Sequence, residues 1–163
     1  MPNQVEAYID IETTGLTYDA SEITVVGIYL CREDGTDFVQ LVGRDITADA
    51  ILEALEGVDV IYTYNGARFD LPFIRSQLGL DLTSLFHHRD LMYDCWNKNL
   101  HGGLKGVEKQ LGVGRNLPDM NGLEAVKLWW KYVDSFDLEA LNKLCEYNKE
   151  DVVNLKTIRD ILI

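Results

Sequence analysis

The order of strand-like and helix-like segments limits this chain to a mixed α/β fold. Apolar and polar residues alternate over residues 4–12, short β-branched runs follow, and helical spacing dominates after residue 92. We predict strands at residues 4–12, 22–31, 37–42, 59–64 and 86–92, and helices at 47–55, 69–78, 93–98, 104–111, 122–133 and 138–163. Three strands joined by short turns predict an antiparallel meander, and the later strands, which return through helices, are expected to lie parallel to the first.

Length and composition favour one globular domain spanning residues 1–163. The chain is 47% apolar and 26% charged, which is ordinary for such a domain. No apolar run is long enough to cross a membrane, and the N-terminus does not have the pattern of a signal peptide, so no membrane partner is expected. The three cysteines, Cys31, Cys95 and Cys145, are odd in number and far apart. They favour reduced thiols and a cytoplasmic location over a disulfide framework.

The distribution of charge is more informative than its total. A formal net charge of −12 is unusual for a protein that binds nucleic acid. Residues 1–64 contain 2 Lys/Arg and 13 Asp/Glu, whereas residues 65–115 contain 7 Lys/Arg and 5 Asp/Glu together with all three histidines. Contacts with phosphate groups are therefore expected in the middle third of the chain, while most other acidic residues serve solubility.

Two acidic residues lie in the first predicted strand and a third lies after the fourth. Asp10 and Glu12 are two apart, so in a strand they project from the same face, with Cα atoms roughly 6.5–7 Å apart. A solvated strand face is the alternative explanation for this pair. Asp70 follows the break at Asn65-Gly66, and for this residue taken alone an ordinary helix N-cap, with Pro72 in the first turn, is the better explanation.

The last predicted helix carries a tyrosine and an acid on its apolar side. Tyr147 and Asp151 are four residues apart and share a helix face, and Asp151 falls on the stripe marked by Leu144 and Leu155. An acid on the apolar stripe argues against a simple surface position. Carboxylates that approach one another in apolar surroundings need a positive partner, and oxygen-only ligands indicate Mg²⁺ or Mn²⁺.

These residues, in this order, resemble the motifs of the DEDD (DnaQ-like) 3′–5′ exonucleases, which have a ribonuclease H-like fold. Asp-Ile-Glu-Thr-Thr-Gly at 10–15 looks like the first motif, Asn65-Gly66 with Phe69-Asp70 the second, and Tyr147-x-x-x-Asp151 the third motif in its tyrosine (DEDDy) form. Residues 104–112 and 147–152 further resemble a predicted nuclease subgroup, the YprB-like ribonuclease H-like proteins. The resemblance covers nearly the whole chain, and it implies a five-stranded mixed sheet with helices on both faces.

The resemblance also implies the roles of individual residues. Two divalent cations, Mg²⁺ or Mn²⁺, would be held by Asp10, Glu12, Asp70 and Asp151, and these four with Tyr147 would be the catalytic residues. Asp10 would bridge both ions, Glu12 and Asp151 would complete one site, and Asp70 would act partly through metal-bound water. The residues that would bind the terminal nucleotide and the strand are Thr13, Thr14, Leu16, Asn65 and Phe69. For Phe69, a core position in the first turn of its helix is at least as good an explanation.

The implied activity is metal-dependent hydrolysis of nucleic acid from the 3′ end, which releases nucleoside 5′-monophosphates. An unperturbed phenol has a pKa of about 10, so Tyr147 is expected to orient the attacking water rather than to act as a base. A structure-selective endonuclease on the same fold and a catalytically inactive nucleic-acid-binding module are the alternatives. The sequence does not separate DNA from RNA as the substrate.

Two other sequence patterns are less informative about function. The spacing of His87, His88, Cys95 and His101 matches no familiar zinc site. In the pair Trp129-Trp130, one ring is expected in the core and the other exposed, where it would suit a homodimer face. The small size of the chain separately allows it to be one part of a larger repair or processing assembly.

Overall fold

Five strands form one mixed sheet, in the spatial order β3-β2-β1-β4-β5. The computed structural model describes residues 3–163. The strands are β1 (Glu6–Thr13), β2 (Ile23–Arg32), β3 (Gly35–Val42), β4 (Val60–Thr63) and β5 (His87–Asp90). The helices are α1 (Ala48–Ala54), α2 (Asp70–Leu78), α3 (Leu91–Asn97), α4 (Leu104–Leu111), α5 (Gly122–Ser135) and α6 (Leu138–Leu162), with short 3-10 turns at Gly43–Asp45 and Leu82–Ser84.

The strand pairing confirms the predicted topology. β1, β2 and β3 form an antiparallel meander, in which Asp10 lies opposite Gly27. β4 is parallel to β1, and β5 is parallel to β4. The fold is therefore the expected α/β, ribonuclease H-like arrangement with a five-stranded mixed sheet.

Helices cover both faces of the sheet because each face has its own apolar set. On one face, Ala7, Ile9 and Ile11 of β1 pack in a cluster with residues of α1 and α2 such as Ile51 and Phe73. On the other face, α6 packs across β1 and β2. This second cluster includes Tyr8, Tyr62, Val152 and Leu155.

β1 is buried on both faces, so the alternative of a solvated acidic face is wrong. Tyr8 is fully buried and Glu12 is 8% exposed, because α6 lies over the side of β1 that the alternation marked as polar. No sequence pattern within residues 4–12 reports this cover, which comes from a helix more than 120 residues further along the chain.

The fifth strand is shorter than predicted. It ends at Asp90, and residues 91 and 92 begin α3 rather than continuing the strand. The Asp90 carboxylate accepts a hydrogen bond from the Met92 backbone N–H at 3.1 Å, so the side chain at the strand's end caps the helix that follows.

The sheet brings three segments to one edge. β1, β4 and β5 run in the same direction, so their carboxyl ends, and the loops that follow, lie side by side. The chain segments that follow Glu12, Thr63 and Asp90 all lie at this edge. Within the part of the chain that the structure describes, no helix has the length and apolarity that a membrane crossing requires.

Candidate active site

Three carboxylates from opposite ends of the chain meet beneath α6. Asp10 and Glu12 of β1 and Asp151 of α6 each offer an oxygen, and these oxygens all lie within 4.8 Å of one another. The two strand residues share a face, as their spacing predicts, and α6 places Asp151 over them. Glu12 and Asp151 are 8% and 6% exposed and Asp10 is half-buried, so most of the cluster lies inside the protein.

Asp70 joins this region from the other side of β1. It is the first residue of α2 and is 3% exposed. Its Oδ2 accepts a hydrogen bond from the Ile11 backbone N–H at 3.0 Å, between the two acids of β1. The N-cap position of α2 is Phe69, so the explanation of Asp70 as a simple helix cap is wrong. The structure places Asp70 next to the three-carboxylate cluster but outside it.

The surroundings of these acidic side chains disfavour the ionised form of each carboxyl group. Burial raises the pKa of Asp10 well above its usual range, and the nearby Asp151 and Glu12 raise it further. Burial also raises the pKa of Glu12 strongly and that of Asp70 to about 7. Carboxylates that repel one another in a buried site are stabilised by a bound cation.

One cation is already built into the site. The Arg115 guanidinium pairs with Asp151 and also donates two hydrogen bonds to Glu108, at 2.6 and 2.7 Å. All three side chains are less than 10% exposed. Arg115 opposes the effect of burial on Asp151, whose pKa is nevertheless raised. The bidentate contact with Glu108 fixes the orientation of the Arg115 guanidinium.

Tyr147 faces the same space and is flanked by two cations. It is 6% exposed; Lys105 Nζ lies 4.8 Å and Arg115 Cζ 5.5 Å from its ring centroid. Burial, with a contribution from Asp151, raises the pKa of the Tyr147 phenol, which therefore stays protonated at neutral pH. A protonated phenol can donate a hydrogen bond but does not act as a base.

Asn148 locks β1 to α6. Its side-chain NH₂ donates to the Asp10 backbone oxygen at 3.1 Å and to Asp10 Oδ2 at 3.4 Å. Its Oδ1 accepts a hydrogen bond from Gln40 Nε2 at 3.0 Å. Gly27 lies opposite Asp10, and a Cβ at that position would collide with the Asn148 amide. Gly27 is therefore required so that Asn148 can approach closely and orient Asp10.

Two cavities open beside the carboxylates. One, of about 290 Å³, is lined by Asp10, Tyr147, Asp151, Lys105 and Arg115 among others. The second, of about 480 Å³, is largely apolar and begins at Glu12. Four of the five residues expected to bind substrate line the second cavity, namely Thr13, Thr14, Leu16 and Phe69. Its size and apolar lining suit a nucleoside, while the first cavity concentrates the charged groups.

Phe69 fits both explanations offered for it. Its ring lies 4.9 Å from that of Phe73 and packs against the core, yet it also lines the second cavity. Leu16 is 87% exposed at the rim.

Asn65, the fifth predicted substrate residue, lies in the loop after β4 and does not line the second cavity. Its backbone adopts a φ of 60°, and its N–H donates to Asp90 Oδ1 at 2.8 Å. The buried Asn65 Oδ1 has no hydrogen-bond partner within residues 3–163.

Four residues of the site were not predicted as functional: Asn148, Arg115, Glu108 and Lys105. Asn148 had a usable signal, because it lies four residues after Leu144 and seven before Leu155, on the apolar stripe of α6. Arg115 gave none, since it lies in an irregular loop and meets Asp151 only through the tertiary fold.

The residues present fit a divalent metal. Asp10, Glu12 and Asp151 supply oxygen ligands close together, and Glu12 Oε1 is buried without a hydrogen-bond partner in the described part of the chain. An acceptor-only atom left unpaired among other acids calls for a cation. Asp10, Glu12 and Asp151 would hold it, with Asp70 adjacent.

Comparison with known proteins places this chain in context. A family model described as the RNase_H superfamily matches residues 7–163. An uncharacterized protein of Methanocaldococcus jannaschii is 27% identical over 173 residues, which cover 97% of this chain and 95% of the relative.

Solved structures show the same fold at low sequence identity. The family B DNA polymerase of Pyrobaculum calidifontis superposes with a TM-score of 0.73 at 17% identity, over 99% of this chain but only 25% of the polymerase. Two structures of Brucella melitensis NrnC, one with bound Mg²⁺ and one bound to pGG, each superpose with a TM-score of 0.62 at 20% identity, over 96% of this chain and 71% of NrnC. The chain thus spans about a quarter of the polymerase and most of NrnC.

Proposed function

The chain belongs to the RNase_H superfamily, and from that premise we propose that it is a metal-dependent 3′–5′ exonuclease that hydrolyses nucleic acid. The observation that carries the proposal is the meeting of Asp10, Glu12 and Asp151 within 4.8 Å, with Asp70 hydrogen-bonded to the strand between them. These are the four acids that the motif resemblance names. We assign the chain to the DEDDy type because Tyr147 lines the same cavity as Asp10 and Asp151. We also propose that the chain belongs to the YprB-like subgroup.

Two divalent cations, when bound, would lower the pKa of the attacking water and stabilise the departing 3′ oxygen. The protein's own residues do the rest. Asp10 is oriented by Asn148 and would help to hold these ions. The protonated Tyr147, which lines the same cavity, would donate a hydrogen bond to the attacking water and so fix its direction.

The two cavities divide the substrate between them. The apolar cavity lined by Thr13, Thr14, Leu16 and Phe69 would take the terminal nucleoside. The charged cavity would then hold the scissile phosphate, where Lys105 Nζ and Arg115 Nη1, both buried and unpaired among residues 3–163, have hydrogen bonds to donate. Two unpaired donors beside four acids are consistent with an anionic substrate that binds together with cations.

The structural neighbours support a nucleic-acid substrate. NrnC was solved bound to pGG and with Mg²⁺, and the polymerase acts on DNA by its name. Both likenesses are below 25% identity and establish the fold alone.

The test is hydrolysis of single strands of DNA and RNA that carry a label at the 5′ end in one set and at the 3′ end in another. With Mn²⁺ or Mg²⁺ we expect stepwise shortening of the 5′-labelled strand and early release of a labelled mononucleotide from the 3′-labelled strand. Chelator, Asp10→Ala or Asp151→Ala should remove nearly all activity. The conservative control is Asp19→Asn, which changes an exposed acid in the loop after β1.

Products of internal cleavage from the 5′-labelled strand would show that the protein is an endonuclease and would refute the exonuclease proposal. No turnover with any metal and strand would indicate a binding module. Undiminished turnover in Asp10→Ala would refute the assignment of the site.

A further inference from the structure

An exposed aromatic pair lies on α3, outside the acidic centre. Tyr93 and Trp96 are each 37% exposed, and their ring centroids are 5.3 Å apart at an interplanar angle of 89°. The guanidinium carbon of Arg68 lies 6.0 Å from the Tyr93 ring centroid and 5.8 Å from that of Trp96. We call Arg68, Tyr93 and Trp96 the Arg68 cluster.

The charge of Arg68 is not neutralised by the protein. Its side chain is exposed, and among residues 3–163 no carboxylate lies within ion-pair distance of it. Asp94, on the same helix as the two aromatic residues, is occupied by Arg89, which donates to both of its oxygens at 2.7 and 3.0 Å. The cluster therefore presents a free positive charge beside two aromatic rings, in the one third of an acidic chain where basic residues outnumber acids.

The cluster lies at the same edge of the sheet as the acidic centre. Arg68 is in the loop after β4, two residues before Asp70, and α3 starts directly after β5. Neighbouring strands are about 4.8 Å apart, so β5 lies about 10 Å from β1 along this edge.

Asp90 fixes the geometry between loop and helix. Its carboxylate accepts hydrogen bonds from the backbone N–H groups of Asn65 and Ala67, at 2.8 and 3.1 Å, and from that of Met92. One side chain thus ties the loop that carries Arg68 to the first turn of the helix that carries the aromatic rings. The surface is held in place before any ligand binds, which lowers the entropy cost of binding.

We propose that the Arg68 cluster binds a single-stranded nucleic acid upstream of its terminal nucleotide, with a base stacked on the exposed rings and Arg68 at a backbone phosphate. This inference rests on the proposed exonuclease function and specifies its substrate class: strands of several nucleotides rather than dinucleotides. Stacking on aromatic residues tolerates any base, and a guanidinium contributes both charge and a planar face. Free positive charge is what distinguishes this surface from an ordinary apolar patch and favours a phosphate-bearing occupant over a protein.

The experiment compares binding of two lengths of ligand. Calcium replaces the catalytic metal so that binding is measured without turnover, and the probes are a 5′-fluorescein dinucleotide and a strand of about twelve nucleotides, each as DNA and as RNA. The variant Tyr93→Ala/Trp96→Ala should weaken binding of the long strand about 5- to 100-fold and leave the dinucleotide unchanged. The matched control is Trp130→Ala, which removes a 44% exposed tryptophan from α5 and should change neither.

Arg68→Ala is the second variant, and it removes no core packing. It should weaken binding of the long strand and reduce the slope of log Kd against log salt concentration by about 0.7, the value for one phosphate contact on a single strand. Thermal melting of each variant, compared with wild type, shows whether it is folded.

The outcomes separate this inference from the exonuclease proposal. Unchanged binding of the long strand, equal loss for both lengths, or no binding by wild type would overturn the role of the cluster, whatever the activity assay gives. A change in oligomeric mass of the double variant without a change in strand binding would reassign the surface to a protein contact. If the double variant loses binding of the long strand while the wild-type protein shows no turnover, the role of the Arg68 cluster stands and the exonuclease proposal is refuted.

Discussion

Replacing Asp70 with asparagine should stabilise the metal-free protein and weaken the enzyme. Asp70 is 3% exposed, and burial raises its pKa to about 7 from an ordinary value of 3.8. Asparagine keeps an oxygen that can accept the 3.0 Å hydrogen bond from the Ile11 backbone N–H, so the change removes the charge and little else.

The magnitude follows from the shift in pKa. A rise of about 3 pKa units corresponds to about 4 kcal/mol, at 1.36 kcal/mol per unit. The folded protein binds the Asp70 proton more tightly than the unfolded chain does, so this acid lowers the free energy of unfolding as pH rises from about 4 to 7. The cost is fully present above pH 7 and is about 2 kcal/mol at pH 5. Asp70→Asn should therefore raise the melting temperature by about 8–16 °C at pH 8 in chelator, with a smaller gain at pH 5.

Thermal unfolding at pH 5 and pH 8, with chelator and with Mn²⁺, measures each part of this prediction. Asp19→Asn is the matched control, because it removes an exposed acid and should leave the melting temperature within a degree or two of wild type at both pH values. Added Mn²⁺ should stabilise wild type more than Asp70→Asn, since a bound cation offsets the repulsion that the variant has already relieved. A variant that is less stable than wild type at pH 8 in chelator, or a gain that does not grow with pH, would refute the reasoning.

Three further changes test the rest of the site. Tyr147→Phe should lower kcat about 10- to 100-fold with little change in the Kd for Mn²⁺ measured by calorimetry, and a complete loss of activity would contradict the positioning role. Arg115→Met leaves Glu108 and Asp151 without their buried partner and should lower the free energy of unfolding in urea by about 3–5 kcal/mol; adding Glu108→Leu should restore part of it, and no recovery would count against a paired role for Arg115 and Glu108. Gly27→Ala forces a methyl group into the Asn148 amide and should cost about 1–3 kcal/mol in the same assay while weakening Mn²⁺ binding, whereas an unchanged protein would show that this close approach is dispensable.

The fold was predictable from sequence because its signals are local. Alternation over residues 4–12 and the short β-branched runs located the first four strands, and a weaker pattern at residues 86–92 located the fifth; the meander followed from the short turns between the first three. The misplaced boundary at residues 91 and 92 has a local cause as well. Leu91 and Met92 are apolar and extend the strand-like run, but the Asp90 side chain starts a helix there.

The site was predictable only where motif and periodicity agreed. The position of Asp151 on the apolar stripe of α6 carried a signal of its own, and α6 does bring it to Asp10 and Glu12. For Asp70, the local pattern of an acid before a proline favoured a helix cap, and only the tertiary contact with Ile11 identifies it as part of the site. Arg115 could not be found this way, because its partners come from α4 and α6 and no periodic pattern links them.

The arrangement of charges around Asp151 explains how such a site can fold before it binds metal. Buried carboxylates that repel one another would oppose closure of α6 onto β1, since Asp151 raises the pKa of both Asp10 and Glu12 in addition to the effect of burial. Arg115 offsets this repulsion at Asp151, and Glu108 holds the guanidinium independently of Asp151. Because Arg115 keeps a bidentate partner, Asp151 can turn toward a cation without leaving the arginine unpaired. Asn148 meanwhile fixes Asp10 through neutral hydrogen bonds, which do not compete for the negative charge that a metal requires. The acids can therefore stay close together in the free protein while their affinity for a cation is retained.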